Sequence, residues 1–160
     1  MTESASPLFV SDLHQSSGAI GHLLARARNK LAKSMDVALA ENDITHTQAV
    51  ILWLLSIGKF DTAADLAREL YIDAASMTRM IDRLEKRKLM MRLPRGEDRR
   101  VINLRLTPKG QILAERFPAI YSTVMCRNFS GFSNDEVAQL RGLLNKLLQN
   151  NASISTSSSQ

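Results

Sequence analysis

Apolar residues at helical spacing run through most of the chain. From Asp12 to about Asn42 there are few breakers, and Leu23, Leu24, Leu31, Met35 and Leu39 recur at roughly helical intervals, which predicts a long first helix. The Glu41-Asn42-Asp43 stretch stops it. Thr45 is placed to cap a second helix that carries Val50, Ile51, Leu54 and Leu55 and ends at Gly58. Thr62 caps a short third helix with Leu66 and Leu70 turned inward, and Asp73 caps a fourth from Ala74 to about Lys88. In that fourth helix Met77, Ile81, Leu84 and the stem of Lys88 form the stripe to be buried, while Ser76, Arg79, Arg83 and Lys86 fall on the opposite side. A short helix, a turn at Tyr71 to Asp73 and a helix with a basic outer face make a helix-turn-helix pattern.

The period then changes. Leu89 to Leu93 is an apolar run too short for a helix, and Val101 to Thr107 alternates as a half-buried strand does. Between them Pro94 to Arg100 is a charged, glycine-containing loop, so the three pieces predict a hairpin, or wing. Pro108 suits the first turn of a fifth helix running to about Phe129, with Pro118 expected to bend or interrupt it. Ser133-Asn-Asp-Glu136 is a capping box for a last helix with Val137, Leu140, Leu144, Leu147 and Leu148 along one stripe. From Asn150 the chain becomes low in complexity.

Charge sharpens this picture. The chain of 160 residues has a net charge of +5, but Arg79 to Lys109 holds 11 of the 21 basic residues against four acids. That segment alone is +7 and the rest of the chain −2, a concentration suited to a polyanion. The major groove admits one helix, where arginine forks and short hydroxyls can meet base edges or phosphates. Ser76, Thr78, Arg79 and Arg83 supply these groups on the fourth helix, and Arg95, Arg99 and Arg100 put positive charge on the wing. Asp98 is either a plain turn residue or a carboxylate that orients a neighbouring arginine.

Other chemistries find little support. The single cysteine, Cys126, rules out an internal disulfide framework; it lies in an apolar stretch, where a structural thiol is the expectation. The histidines His14, His22 and His46 have no triad or metal-ligand spacing, and no glycine-rich phosphate loop is present, so neither an enzyme nor a metal or cofactor site is expected. No apolar stretch is long enough to cross a bilayer and Met1 to Pro7 has no signal-peptide pattern, so a soluble cytoplasmic protein without membrane contact is expected.

Asp98-Arg-Arg-Val-Ile-Asn-Leu-Arg-Leu-Thr-Pro-Lys-Gly110 fits the D-x-R-x(5)-L-T-x-x-G signature of the MarR family of bacterial transcriptional regulators, which the chain resembles over about residues 12 to 149. Met77-Thr-Arg-Met-Ile-Asp-Arg-Leu84 is similar to that family's recognition helix. The resemblance implies a mainly α fold: a winged helix-turn-helix lobe at 45–107 with a two-stranded wing, and dimerisation helices at 12–44 and 108–149 within one domain spanning 1–160. Residues 1–7 and 150–160 are then flexible tails. It also implies a homodimer on a pseudo-palindromic double-stranded operator, acting as a repressor released by a small phenolic or aromatic acid. The DNA contacts expected are Thr62, Ser76, Thr78, Arg79, Arg83, Arg95, Asp98, Arg99 and Arg100. Candidates to line an effector site are His22, Met35, His46, Trp53 and Arg79. Phe117, Ile120, Val124, Phe129, Phe132 and the leucines of the last helix exceed what one small lobe needs, which favours pairing of chains. The alternative is an architectural DNA-binding protein that senses nothing.

Overall fold

The computed structural model describes residues 19–95 and 98–154, with the side chains of 95, 98–101 and 151–154 set aside. The expected start of the first helix at residues 12–18 lies outside the described residues, as do residues 1–7 and 155–160 of the expected tails. In chain order the elements are α1 (Ile20–Leu39), a 3-10 turn (Ala40–Asn42), α2 (His46–Ser56), α3 (Ala63–Glu69), α4 (Ala74–Lys86), β1 (Met90–Arg95), β2 (Asp98–Leu106), α5 (Pro108–Asn128) and α6 (Asn134–Ile154). The fold is mainly helical with one two-stranded antiparallel sheet, as the sequence predicts.

Helix starts follow side-chain chemistry. Four amide donors at each helix start lack partners within the helix, and a short oxygen-bearing side chain supplies one. Thr45 accepts from the Gln48 amide while the Gln48 side chain accepts from the Thr45 amide, a reciprocal box. Thr62 caps α3 through the Asp65 amide at 3.2 Å, and Asp73 caps α4 through the Ser76 amide at 2.8 Å. Ser133 and Glu136 complete the expected box at the start of α6.

Helix ends were less predictable. After α2 the chain turns left-handed at Gly58 (φ 69°), but after α3 and α4 it does so at Tyr71 (φ 51°) and Lys88 (φ 57°). At both, the next amide reaches back to a carbonyl inside the helix: Ile72 to Ala67 at 2.9 Å and Leu89 to Leu84 at 3.0 Å. This corrects the expectation for Lys88, whose stem is not part of the buried stripe. The helix stops at Lys86, Lys88 is exposed, and Leu89 takes the interior place beside Leu84.

The hairpin is longer than predicted. Strand pairing runs from Met90 opposite Leu106 to Arg95 opposite Asp98, with an irregularity between Pro94 and Arg95, so the expected loop Pro94–Arg100 is mostly strand. On its other edge β2 gains one further bond, from the Leu104 amide to the Asp61 carbonyl at 2.7 Å. This stitches the wing's base to the segment just before α3.

Residues through Val124 form one unit. Here α1 packs on α2, α3 on α4, α4 on β1, and both α2 and α3 on β2. Met35, Ile51, Leu52, Leu66, Met77, Leu84 and Leu89 are wholly buried in this core. Each such side chain contributes about 1.5–3 kcal/mol of burial. Of the bend or interruption expected at Pro118, the interruption does not occur: α5 runs unbroken through it. Its ring costs the Ala114 carbonyl one donor, but buried Ala114, Phe117 and Val124 hold the segment helical.

Residues from Met125 form a second unit: the end of α5, a turn in which Phe129 and Phe132 meet edge-on at 5.2 Å, and α6. α6 runs to Ile154, five residues into the predicted tail, because Asn150-Asn-Ala-Ser-Ile154 contains no breaker. None of its described side chains is buried; Val137 and Leu140 are half-buried, and Leu143, Leu144, Leu147 and Leu148 are exposed. Cys126 is exposed rather than the interior thiol expected, since its position on α5 is not on the side that carries Phe117 and Val124.

Candidate nucleic-acid interface

α4 is anchored in the first unit along one side. Met77, Ile81 and Leu84 are fully or almost fully buried on one side, so the opposite side must face outward. Arg79, Arg83 and Lys86 project there and are exposed. The Asp73 cap fixes the helix start, and the hydrogen bonds donated by Ser76 hold its carboxyl below the usual carboxylate range. Ser76 also accepts from the Arg79 guanidinium at 3.0 Å, which sets the direction of that side chain. Thr78 is exposed and donates to its own helix at the Ala74 carbonyl, 2.9 Å away, leaving oxygen lone pairs turned to solvent.

Thr62 is more committed than its sequence position suggests. Its hydroxyl donates to Asp65 at 2.6 Å and accepts from the Asp65 amide, and Asp65 in turn pairs with Arg68. Among the wing residues, the side chains of Arg95, Asp98, Arg99 and Arg100 lie outside the described residues.

Two of the basic residues counted in the positive segment do not contribute free charge, which corrects the picture of an unbalanced run. Arg87 donates to the Asn42 carbonyl at 3.0 Å and to the Asp43 carbonyl, and pairs with the Asp43 carboxylate at 3.3 Å. It thus ties the end of α4 to the turn after α1. Arg92 on β1 forks onto Asp82 and Glu85 of α4, and its own amide donates to Glu85 at 3.2 Å. The hydrogen bond to Asp82 is the main influence raising the Arg92 pKa, supported by the charges of both acids. Sequence reasoning missed this bracket. Its trace in the sequence is slight: Arg92 shares a strand face with buried Met90, and Asp82 and Glu85 stand three apart on one helix flank.

The effector candidates separate into groups. His46 and Trp53 converge on Phe117, with ring centroids 6.4 and 6.2 Å from it, and Tyr121 joins at 5.9 Å. Phe117 and Tyr121 were not among the expected lining residues; their spacing on α5 places them one turn apart. Burial pushes the His46 pKa down, partly offset by Asp36 and reinforced by Arg28, and the His46 amide donates to Asp36 at 2.6 Å. Met35 is wholly buried in the core, His22 is exposed in the first turn of α1, and Arg79 lies on the outward side of α4. Among the described residues no cluster of three metal-ligating side chains is found.

A capped helix-turn-helix followed by a two-stranded wing, with the second helix basic on its free side, defines a winged helix-turn-helix protein. The MarR family model matches residues 44–102. The multiple antibiotic resistance protein MarR of Salmonella typhimurium is 30% identical over 139 residues, covering 86% of this chain and 96% of that protein. The chain therefore belongs to the MarR family of transcriptional regulators. Among solved structures, a mutant MarR from E. coli complexed with operator DNA matches with a TM-score of 0.72 and 27% identity, over 81% of this chain and 93% of that one. Bordetella bronchiseptica BpsR, whose DNA binding is regulated by 6-hydroxynicotinic acid, matches with a TM-score of 0.73 and 26% identity, over 82% and 94% of the two chains. Among the described residues no helix is long and apolar enough to cross a membrane.

Proposed function

We propose that this protein is a sequence-specific regulator that binds double-stranded DNA as a homodimer and represses transcription in the bacterial cytoplasm. The observation that carries this is the outward side of α4, where Arg79, Arg83 and Lys86 stand exposed on a helix fixed by its cap and its buried stripe. In the groove Arg79 and Arg83 offer forks to guanine, Ser76 and Thr78 offer hydroxyls, and Thr62 at the start of α3 lies against a phosphate. Arg95, Arg99 and Arg100 of the wing, with Asp98 orienting an arginine, reach the backbone or the minor groove. The likeness to an operator-bound MarR supports the same use of the fold.

Homodimerisation is supported by the exposed leucines of α6 and by Phe132, too large an apolar set to leave in water. Two-fold symmetry then sets the two α4 helices about 34–36 Å apart, one turn of duplex. Release is by a small aromatic acid, as the regulation of BpsR suggests. Its ring is taken by Trp53, Phe117 and Tyr121, and His46, held neutral by burial, meets its polar group.

Footprinting on the DNA upstream of the protein's own gene tests the core of this. A discrete protected palindrome is expected, and Arg83→Ala and Arg100→Ala each weaken it, the latter with little regard to sequence. Uniform coating of the DNA, or undiminished binding by both variants, refutes the assignment.

A further inference from the structure

The outward side of α4 is not uniformly basic. Asp82 is half-exposed and stands three residues after Arg79 and four before Lys86, the spacings at which side chains on one helix meet. Left alone, its carboxylate would repel phosphate and draw Arg79 and Lys86 sideways into pairs along the helix. Glu85, on the flank towards β1, adds a second negative charge. Both acids are instead engaged by one guanidinium that comes from the wing: Arg92 Nη2 meets Asp82 Oδ1 at 2.5 Å, and Nη1 meets Glu85 Oε2. The backbone at Arg92 reinforces the link through its amide to Glu85. Arg92 is itself two-thirds shielded from water, so the fork is held by strand and helix together and is not a loose surface pair.

We propose that Arg92 is a positioning residue for DNA binding, which masks the carboxylates of Asp82 and Glu85 and so leaves Arg79 and Lys86 directed at the duplex. It does not touch DNA. The same fork fixes the wing's root against α4, so charge neutralisation and the angle between the two DNA-facing elements come from one side chain. The proposal rests on the DNA-binding reading above.

The test uses the full chain, a fluorescein-labelled duplex of generic sequence, and fluorescence anisotropy across a potassium chloride series. Arg92→Met, which keeps the stem and removes the charge, is expected to bind about tenfold more weakly at low salt, with the deficit shrinking as salt rises. Arg92→Lys falls between, because an ammonium cannot fork onto two carboxylates. Adding Asp82→Asn and Glu85→Gln to Arg92→Met removes both carboxylate charges without bringing back the guanidinium fork, and is expected to restore affinity to within about threefold of the parent. If the role is shape alone, that triple variant binds no better than the single one, and the proposal is overturned. Should Arg92→Met fail to fold by circular dichroism, Arg92→Lys decides: binding several-fold weaker than the parent at low salt, converging on it as salt rises, supports masking, and binding equal to the parent or a deficit independent of salt overturns it. A parent chain that binds no duplex at all removes the DNA-binding reading itself. A parent that binds, with Arg92→Met equal to it, removes only this proposal.

Discussion

Gly110→Ala is the substitution whose cost follows most directly from the geometry. Thr107 donates its amide to the Leu89 carbonyl at 3.1 Å and its hydroxyl to the Lys88 carbonyl at 2.7 Å, then accepts from the Gly110 amide at 3.1 Å. These bonds fold the first turn of α5 directly onto the segment that leaves α4. A β-carbon added at Gly110 would lie 1.8 Å from the Leu89 oxygen and 2.8 Å from its carbonyl carbon, and both are backbone atoms. The two segments must part by more than an ångström. Separation breaks the Thr107–Leu89 bond and strands its buried groups, at about 1–3 kcal/mol. It also loosens Leu89, which is wholly buried, at about another 1–2 kcal/mol. A loss of about 2–5 kcal/mol is a large share of the stability of a domain this size. Urea unfolding followed by far-ultraviolet circular dichroism, at fixed protein concentration, measures it. Gly21→Ala is the control, since nothing lies within 4 Å of a β-carbon there. A Gly110→Ala variant within about 1 kcal/mol of the parent would show that the Leu89 segment yields, and the steric argument for this signature glycine would be wrong.

Lys88→Gly and Tyr71→Gly should each stabilise the fold by about 0.5–1 kcal/mol in thermal unfolding, because relief of the left-handed backbone outweighs the added freedom of glycine in the unfolded chain. Their side chains are exposed, so little packing is lost. Burial holds the His46 pKa below 6.5, so the unfolded chain takes up its proton first. The contribution of neutral His46 is thus complete above about pH 6.5 and declines as pH falls through that value towards the lower folded one. The unfolding midpoint should drop across this window, and His46→Gln should flatten the drop. Leu144→Glu with Leu148→Glu should shift sedimentation equilibrium towards monomer and weaken binding to operator DNA; an unchanged mass would remove α6 from the dimer interface.

Where a helix begins was plain from the chain, because a cap is one residue acting on its own next turn: Thr45, Thr62, Asp73 and Ser133 all do so. Where helices end was harder. Gly58 announces a left-handed turn, whereas Tyr71 and Lys88 adopt one as the next amides, of Ile72 and Leu89, bond back to carbonyls of the helix they leave. The exposed basic side of α4 was readable from its period. The Arg92 bracket was not, since it joins a helix to a strand seven and ten residues away, and the charge of an arginine says nothing about which way a strand will turn it. The aromatic group was half visible: His46 and Trp53 were singled out, but Phe117, around which they gather, lies on α5 more than sixty residues later in the chain.

Cys126 is the chain's sole thiol, and it stands exposed near the end of α5. A maleimide spin label can therefore be attached at a single defined point without engineering any other cysteine away. In a symmetric pair of chains the two labels form a molecular ruler, and pulsed electron resonance would read their separation with and without a bound duplex or aromatic acid.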